Sequence, residues 1–289
     1  MSTRYGTAVD PTAINNPHAY AISMVGSGGR VLEVGCSVGH VTEHLVAAGN
    51  VVIGIEVDAE AAEQARRFAT QVHVADLDRT RLTDIVEPGF DVVLFGDVLE
   101  HLREPERALA DAVSLLGPDG RVVISVPHVG FVDVRLMLLE GRWEYQPEGL
   151  LDRTHLRWFT RAGLAELLAG AHLTATRIER VRGAAYESGL PATPGRHGAE
   201  VLRFVLADPE ATTYQFVLEA RRAKPGEQPF PAEPTPAWPD LDGERAQLDE
   251  QIAALTEERD ALRNEVDAWR RSRLVRLTAP LRKLRSRLR

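Results

Sequence analysis

Along the first 222 residues, uninterrupted apolar runs alternate with stretches in which apolar positions recur every three or four residues. The runs are VLEVG (31–35), VVIGIEV (51–57), VHVAD (72–76), FDVVLFG (90–96) and RVVISVP (121–127). Continuous Val- and Ile-rich runs of this kind suit strands buried on both faces. Between them, residues 40–49, 59–69 and 105–117 carry helical spacing, and the last opens on a first-turn proline and stops at Gly117-Pro118. Strand and helix in regular alternation predict an α/β fold around a mostly parallel sheet.

Beyond Pro127 the pattern predicts an apolar helix over 131–139, a polar-aromatic loop over 142–159, and a helix from Thr160, its N-cap, to about Gly170. Two further strand-like runs, 173–181 and 213–222, flank an irregular segment with a short helix near 199–206. Such a pair fits an antiparallel hairpin that closes one edge of the sheet. The expected domain, 1–222, is therefore a seven-stranded, mostly parallel sheet with helices on both faces.

The composition then changes. Six prolines crowd residues 223–240, which predicts a linker in place of strand or helix. Residues 241–270 repeat with a period of seven, with Leu241, Leu248, Leu255, Leu262 and Trp269 at one seam position and Arg245, Ile252, Arg259 and Val266 at the other. That spacing predicts a coiled coil and a homodimer, against the alternative of an amphipathic helix lying on its own domain. Residues 271–289 hold eight Arg/Lys and no acid, with leucines every three or four positions, the pattern of a basic amphipathic helix. Such a helix can rest on an anionic membrane face or dock on its own acidic domain.

Charge and cysteine narrow the function classes. The net charge is −8, and removing the eight positive charges of the tail leaves −16 on the preceding 270 residues. A body that acidic repels phosphates, so nucleic acid is not an expected partner. The single thiol, Cys36, excludes an internal disulfide framework. No run reaches membrane-span length and the first residues lack a signal-peptide core, so the expected location is cytoplasmic, with peripheral contact at the inner membrane face through the tail.

Candidate chemistry sits at the ends of the predicted strands. Glu33-Val-Gly35-Cys-Ser37-Val-Gly39 is a Gly-rich strand-to-helix turn, which brings backbone N–H groups close to a ligand. Its spacing is not the G-x-G-x-x-G of dinucleotide binders. Glu56 ends the second strand, where a carboxylate can accept both hydroxyls of a ribose, and Asp58 suits the cap of the next helix. Asp76-Leu77 ends the third strand, with an acceptor for an exocyclic amine and an apolar flank for a ring.

The fourth strand runs into Asp97-Val-Leu-Glu100-His101-Leu, and L-L-G-P-D-G-R-V-V-I-S-V-P follows at 115–127. With these features in this order, residues 30–127 resemble class I S-adenosylmethionine-dependent methyltransferases, a Rossmann-like family. The resemblance implies that Glu33, Gly35 and Gly39 form the loop around the methionine part of the cofactor, with Ser37 where the usual motif has its middle glycine. It further implies that Glu56 holds the ribose, that Asp76 faces the adenine, and that Asp97 lies beside the cofactor. The phrase LDRTHLRWFT (151–160) is similar to the substrate-side segment of methyltransferases that accompany bacterial glycan, O-antigen and polysaccharide biosynthesis proteins. It implies a glycan or glycan-precursor acceptor.

A hydroxyl acceptor must lose a proton during attack, and the candidate bases are His101, Asp152, His155 and, behind them, His128. His101 is expected one helical turn past Asp97, on the same face, with the alternative that it only bonds a loop carbonyl. Asp152 and His155 either serve the acceptor or form a turn that caps the following helix. Trp143, Tyr145 and Trp158 are either a sugar platform or the packing of a lid. No H-x-x-x-H spacing or carboxylate cluster stands out, so no metal is expected. The rival readings are a small-molecule O- or N-methyltransferase and a non-catalytic assembly factor that keeps the cofactor fold.

Overall fold

The computed structural model describes residues 9–231 and 241–271. Seven strands form one sheet: β1 (Arg30–Val34), β2 (Val51–Glu56), β3 (Gln71–Val74), β4 (Phe90–Gly96), β5 (Leu116–Pro127), β6 (Leu173–Arg182) and β7 (Thr213–Arg222). Their order is β3-β2-β1-β4-β5-β7-β6. The first five are parallel, and β7 runs antiparallel to both neighbours.

Apolar residues on successive positions have two cores to fill. In β4, Val93 and Phe95 enter the larger core, while Val92 and Leu94 enter the opposite one. The larger core packs α4 (Pro105–Leu115) and α6 (Arg161–Gly170) through Leu109, Leu164 and Leu168. The opposite core packs α1 (Pro17–Val25) and α2 (His40–Ala47) through Met24, Val25 and Leu45. Period-two alternation with both faces covered is why these strands read as continuous apolar runs.

The sheet, its mixed edge and most helices match the sequence expectation. Helix α1 was not expected, although Asn16 caps it by accepting from the Ala19 N–H and Pro17 opens its first turn. Helix α3 (Ala59–Ala65) ends four residues early, in a tight turn through Phe68. The linker expected from residue 223 is corrected over its first part. Residues 223–231 pack on the domain: Thr174 and Ala175 donate to the Gln228 and Pro229 carbonyls, and Phe230 is buried beneath the Arg161 guanidinium.

A third core lies under α5 (Val132–Leu139), the loop after it and α7 (Ala199–Leu206), and includes Phe131, Leu136, Leu150, Leu151 and Val205. Residues 142–159 are thus a loop with a packed interior. Helix α8 (Leu241–Arg271) belongs to a separate unit; Leu248, Ile252, Leu255, Leu262, Val266 and Trp269 are all exposed on it. The tail expected at 271–289 lies outside the described residues beyond Arg271. Among the described residues no helix is long and apolar enough to cross a membrane.

Candidate active site

Strand order reverses between β1 and β4, so their carboxyl ends part and leave a crevice there. On one side the chain turns from β1 into α2. Gly35 (φ 75°) and Gly39 (φ 92°) are left-handed. A Cβ on Gly35 would meet Val98 Cγ2 at 2.4 Å, and one on Gly39 would meet Phe68 at 2.8 Å and the Ala65 Cα at 3.0 Å. Both glycines are required by conformation and by space. Ser37 adopts φ 48° without being glycine, and its N–H donates to Glu56 Oε2 at 2.8 Å.

The Glu56 carboxylate is held by three backbone donors, because Val57 and Asp58 N–H also reach Oε1 at 2.8 and 2.9 Å. It therefore stands fixed at the end of β2 as an acceptor. Asp58 caps α3, accepting from the Glu60 and Ala61 N–H groups. Glu33 differs from a ligand-facing role: it is buried, and Thr42 Oγ1 in α2 donates to it at 2.6 Å. Burial pushes its carboxyl up to about 7 against the pull of that hydrogen bond. Its place is to tie β1 to α2 beneath the turn. Asp76 accepts from Asp78 N–H at 2.9 Å and faces Arg79 at 3.3 Å, while Leu77 packs on the larger core.

On the other side, Asp97 follows β4 with φ 56°, a second non-glycine in the left-handed region. Ser125 Oγ donates to Asp97 Oδ1 at 3.0 Å, and Gln215 Nε2 from β7 reaches both of them. Burial pushes the Asp97 carboxyl up, and the charge of His18 from α1, the Ser125 bond and His101 act against it. The sequence pattern does not point to Ser125, Gln215 or His18, because three different elements bring them in; the Asn16-Pro17 helix signal is the available clue to the last. A Cβ on Gly96 would meet nothing within 4 Å, so the space beside Asp97 is open.

The expected helical turn from Asp97 to His101 is corrected: only Leu99–His101 form a 3-10 turn, and Asp97 lies outside it. The Glu100 carbonyl accepts from Leu156 N–H at 2.7 Å and Arg157 N–H at 3.0 Å. These bonds pin the loop to the turn and bring His155 against His101, with ring centroids 4.7 Å apart. His155 Nδ1 lies 3.1 Å from the Leu150 carbonyl, and His101 Nδ1 lies 3.3 Å from the Thr154 carbonyl. Burial, then the charge of His101, lowers the His155 imidazole, which keeps it neutral at pH 7.

Asp152 turns inward, its Oδ1 accepting from both the N–H and hydroxyl of Thr154 at 2.8 and 2.7 Å. It organises the loop. His128 is buried, with Nδ1 2.9 Å from the Thr213 carbonyl. Trp143, Tyr145 and Trp158 pack on one another with centroids 5.4 to 6.3 Å apart, and only Tyr145 is largely exposed. They form lid packing more than an open platform. Glu100, which the sequence reading did not use, is buried beside the two histidines. Glu100, His101 and His155 each offer a ligand-type atom within 4.8 Å of the others. Sequence spacing hides that cluster, since His155 stands far along the chain from the other two.

Comparison with known proteins decides the family: a model described as a methyltransferase domain matches residues 18–178, more than half the chain. The chain belongs to this methyltransferase family. It is similar to the ubiquinone biosynthesis O-methyltransferase of Actinobacillus pleuropneumoniae serotype 5b (strain L20), with 29% identity covering 54% of this chain and 69% of that one. The enzyme of the same description from Alkalilimnicola ehrlichii is 34% identical, covering 34% of this chain and 41% of the relative. Among solved structures, a putative methyltransferase from Bacillus halodurans C-125 superposes with a TM-score of 0.52 at 15% identity, covering 72% of this chain and 99% of that one. Magnesium protoporphyrin IX methyltransferase from Synechocystis PCC 6803, solved with bound S-adenosylhomocysteine, gives 0.50 at 15% identity, covering 76% and 91%. These two likenesses establish the fold.

The methyltransferase uses S-adenosylmethionine. The residues present fit it: a fixed carboxylate acceptor at the end of β2, a glycine turn beside it and open space over Gly96.

Proposed function

We propose that this methyltransferase transfers a methyl group to a hydroxyl oxygen of a small acceptor, held between the carboxyl end of β4 and residues 142–159. Bound S-adenosylmethionine supplies an electrophilic methyl on a positively charged sulfur. Glu56 orients the ribose and fixes the donor in the crevice, and Asp97 lies beside it as a carboxylate held by Ser125 and Gln215. In-line displacement depends on positioning, so this immobilisation carries much of the rate. His101 and His155 stand at the same edge, where the acceptor hydroxyl must shed its proton during attack.

The observation that carries the reading is the meeting of His101 with His155, 4.7 Å between centroids, just past the end of β4 and Asp97. Its chemistry suits an oxygen acceptor, as does the similarity to enzymes described as O-methyltransferases of ubiquinone biosynthesis. The mutual packing of Trp143, Tyr145 and Trp158 leaves less aromatic face for a sugar than an open platform would. Labelled S-adenosylmethionine offered with catechols, amines, sugar nucleotides and lipid-linked sugars tests it. Label in catechol oxygen is expected; label in sugars or amines alone overturns the small-acceptor reading.

Helix α8 supports a second part of the proposal, self-association through the heptad seam, because Leu248, Ile252, Leu255, Leu262, Val266 and Trp269 are exposed along a 31-residue helix. Sedimentation of the full chain is expected to give a dimer, and Leu255→Asp a monomer. A wild-type monomer contradicts it.

A further inference from the structure

Two imidazoles and a carboxylate gathered at one point form a familiar donor set. Glu100, His101 and His155 place ligand-type atoms within 4.8 Å of one another, and these three come from the 3-10 turn after β4 and from the distant 142–159 loop. Glu100 is 1% exposed, and its Oε2 has no hydrogen-bond partner among the described residues. A buried carboxylate oxygen left without a donor is costly unless something fills the place.

Both rings are held through Nδ1. The Leu150 carbonyl takes the Nδ1–H of His155, which leaves Nε2 with the lone pair. For His101 the arrangement has two layers. The Thr154 hydroxyl donates to Asp152 Oδ1 at 2.7 Å, so its lone pair and the Thr154 carbonyl face His101 Nδ1, at 3.2 and 3.3 Å. A metal-binding imidazole commonly donates its other N–H to a carbonyl or carboxylate system in this way. Asp152, expected at first to be a catalytic group, is thereby explained as a positioning residue that acts through Thr154.

We infer that Glu100, His101 and His155 hold a first-row divalent cation, and that the acceptor hydroxyl of the proposed O-methylation binds it. Two nitrogens and one oxygen are the donors of catalytic zinc and of related iron and manganese sites, whereas magnesium prefers oxygen alone. Three protein ligands leave positions for water or acceptor. A hydroxyl bound there loses its proton to solvent at a lower pH than a free one. Its oxygen then forms the new O–CH₃ bond as the S–CH₃ bond breaks, and the sulfonium becomes the thioether of S-adenosylhomocysteine. The inference rests on the methyltransferase reading but fails separately from it.

The test is a calorimetric titration of Zn²⁺ into the full-length protein stripped with EDTA. One ion per chain is expected, with Mg²⁺ weaker, and Glu100→Gln and His155→Gln are each expected to weaken Zn²⁺ by at least about tenfold. No stoichiometric uptake, or equal uptake by both variants, overturns the site. Cobalt(II) provides a readout that needs no variant: absorption bands of imidazole-and-oxygen coordination are expected, and an unchanged aqueous spectrum contradicts the site. S-adenosylhomocysteine titrated into the same stripped protein separates the two failures. If it binds and no metal does, the metal site is wrong and the methyltransferase reading stands; if it does not bind, that reading is wrong.

Discussion

The two sides of the crevice are built differently. The turn between β1 and α2, together with the end of β2, is assembled from backbone: Glu56 is fixed by three main-chain N–H groups, and Gly35 and Gly39 supply left-handed turns. The side beyond β4 is assembled from side chains on separate elements, with Asp97 held by Ser125 and Gln215, and His101 set against His155. Backbone holding suits a ligand that every turnover shares. Side chains carried on a loop suit the partner that can change from one enzyme to another, because loop residues vary without disturbing the sheet.

If the two sides carry separate tasks, variants should separate them too. The largest effect is expected from His155→Ala, which should lower kcat about 10²–10⁴-fold on the accepted substrate. A loss under about tenfold would leave His155 a packing residue and remove the contrast.

Glu33→Gln examines the floor of the cofactor side through its pH dependence. A free glutamate titrates near 4.5, whereas the buried Glu33 is pushed up to about 7. Between those values the unfolded chain loses the proton while the folded chain keeps it, so stability falls as pH rises through that window and is level above it. At about 1.4 kcal/mol per pH unit the loss reaches about 3 kcal/mol. Denaturant unfolding at pH 5 and pH 7.5 should therefore show a smaller fall in Glu33→Gln than in wild type. Parallel falls would mean that Glu33 is ionised in the fold.

Glu56→Ala should weaken cofactor binding by about 1.5–3 kcal/mol, roughly ten- to a hundredfold, since it removes a charged acceptor. The smallest effect belongs to its neighbour. Asp58→Ala should cost about 1 kcal/mol of stability as a lost cap while sparing cofactor affinity. Exchange of the two results, read by calorimetry and unfolding, would move the ribose acceptor to Asp58.

The same contrast explains what was legible in the sequence. Gly35, Gly39, Glu56 and Asp58 lie at fixed short spacings from strand ends, where local rules of turn and cap apply, and their places follow from the pattern. The Ser125–Gln215–Asp97 contacts and the approach of His155 to His101 depend on β7 lying against β5 and on the Glu100 carbonyl catching residues 156 and 157. Periodicity carries no record of such pairings. Glu100 stood in the Asp97-Val-Leu-Glu100-His101 phrase but has no local sign of burial; only the folded loop shows its carboxylate enclosed. The docking of Phe230 escaped for a related reason: prolines on either side read as spacer, although an aromatic among them is a burial signal.

The central claim is that cofactor affinity rests on the backbone-held Glu56 and not on the loop histidine His155. Titration of S-adenosylhomocysteine into full-length wild type, Glu56→Ala and His155→Ala tests it most directly. One site per wild-type chain, at least about tenfold weaker binding by Glu56→Ala and an affinity within about threefold of wild type for His155→Ala are expected. Absence of binding by the wild type, or equal loss in the two variants, would contradict the account.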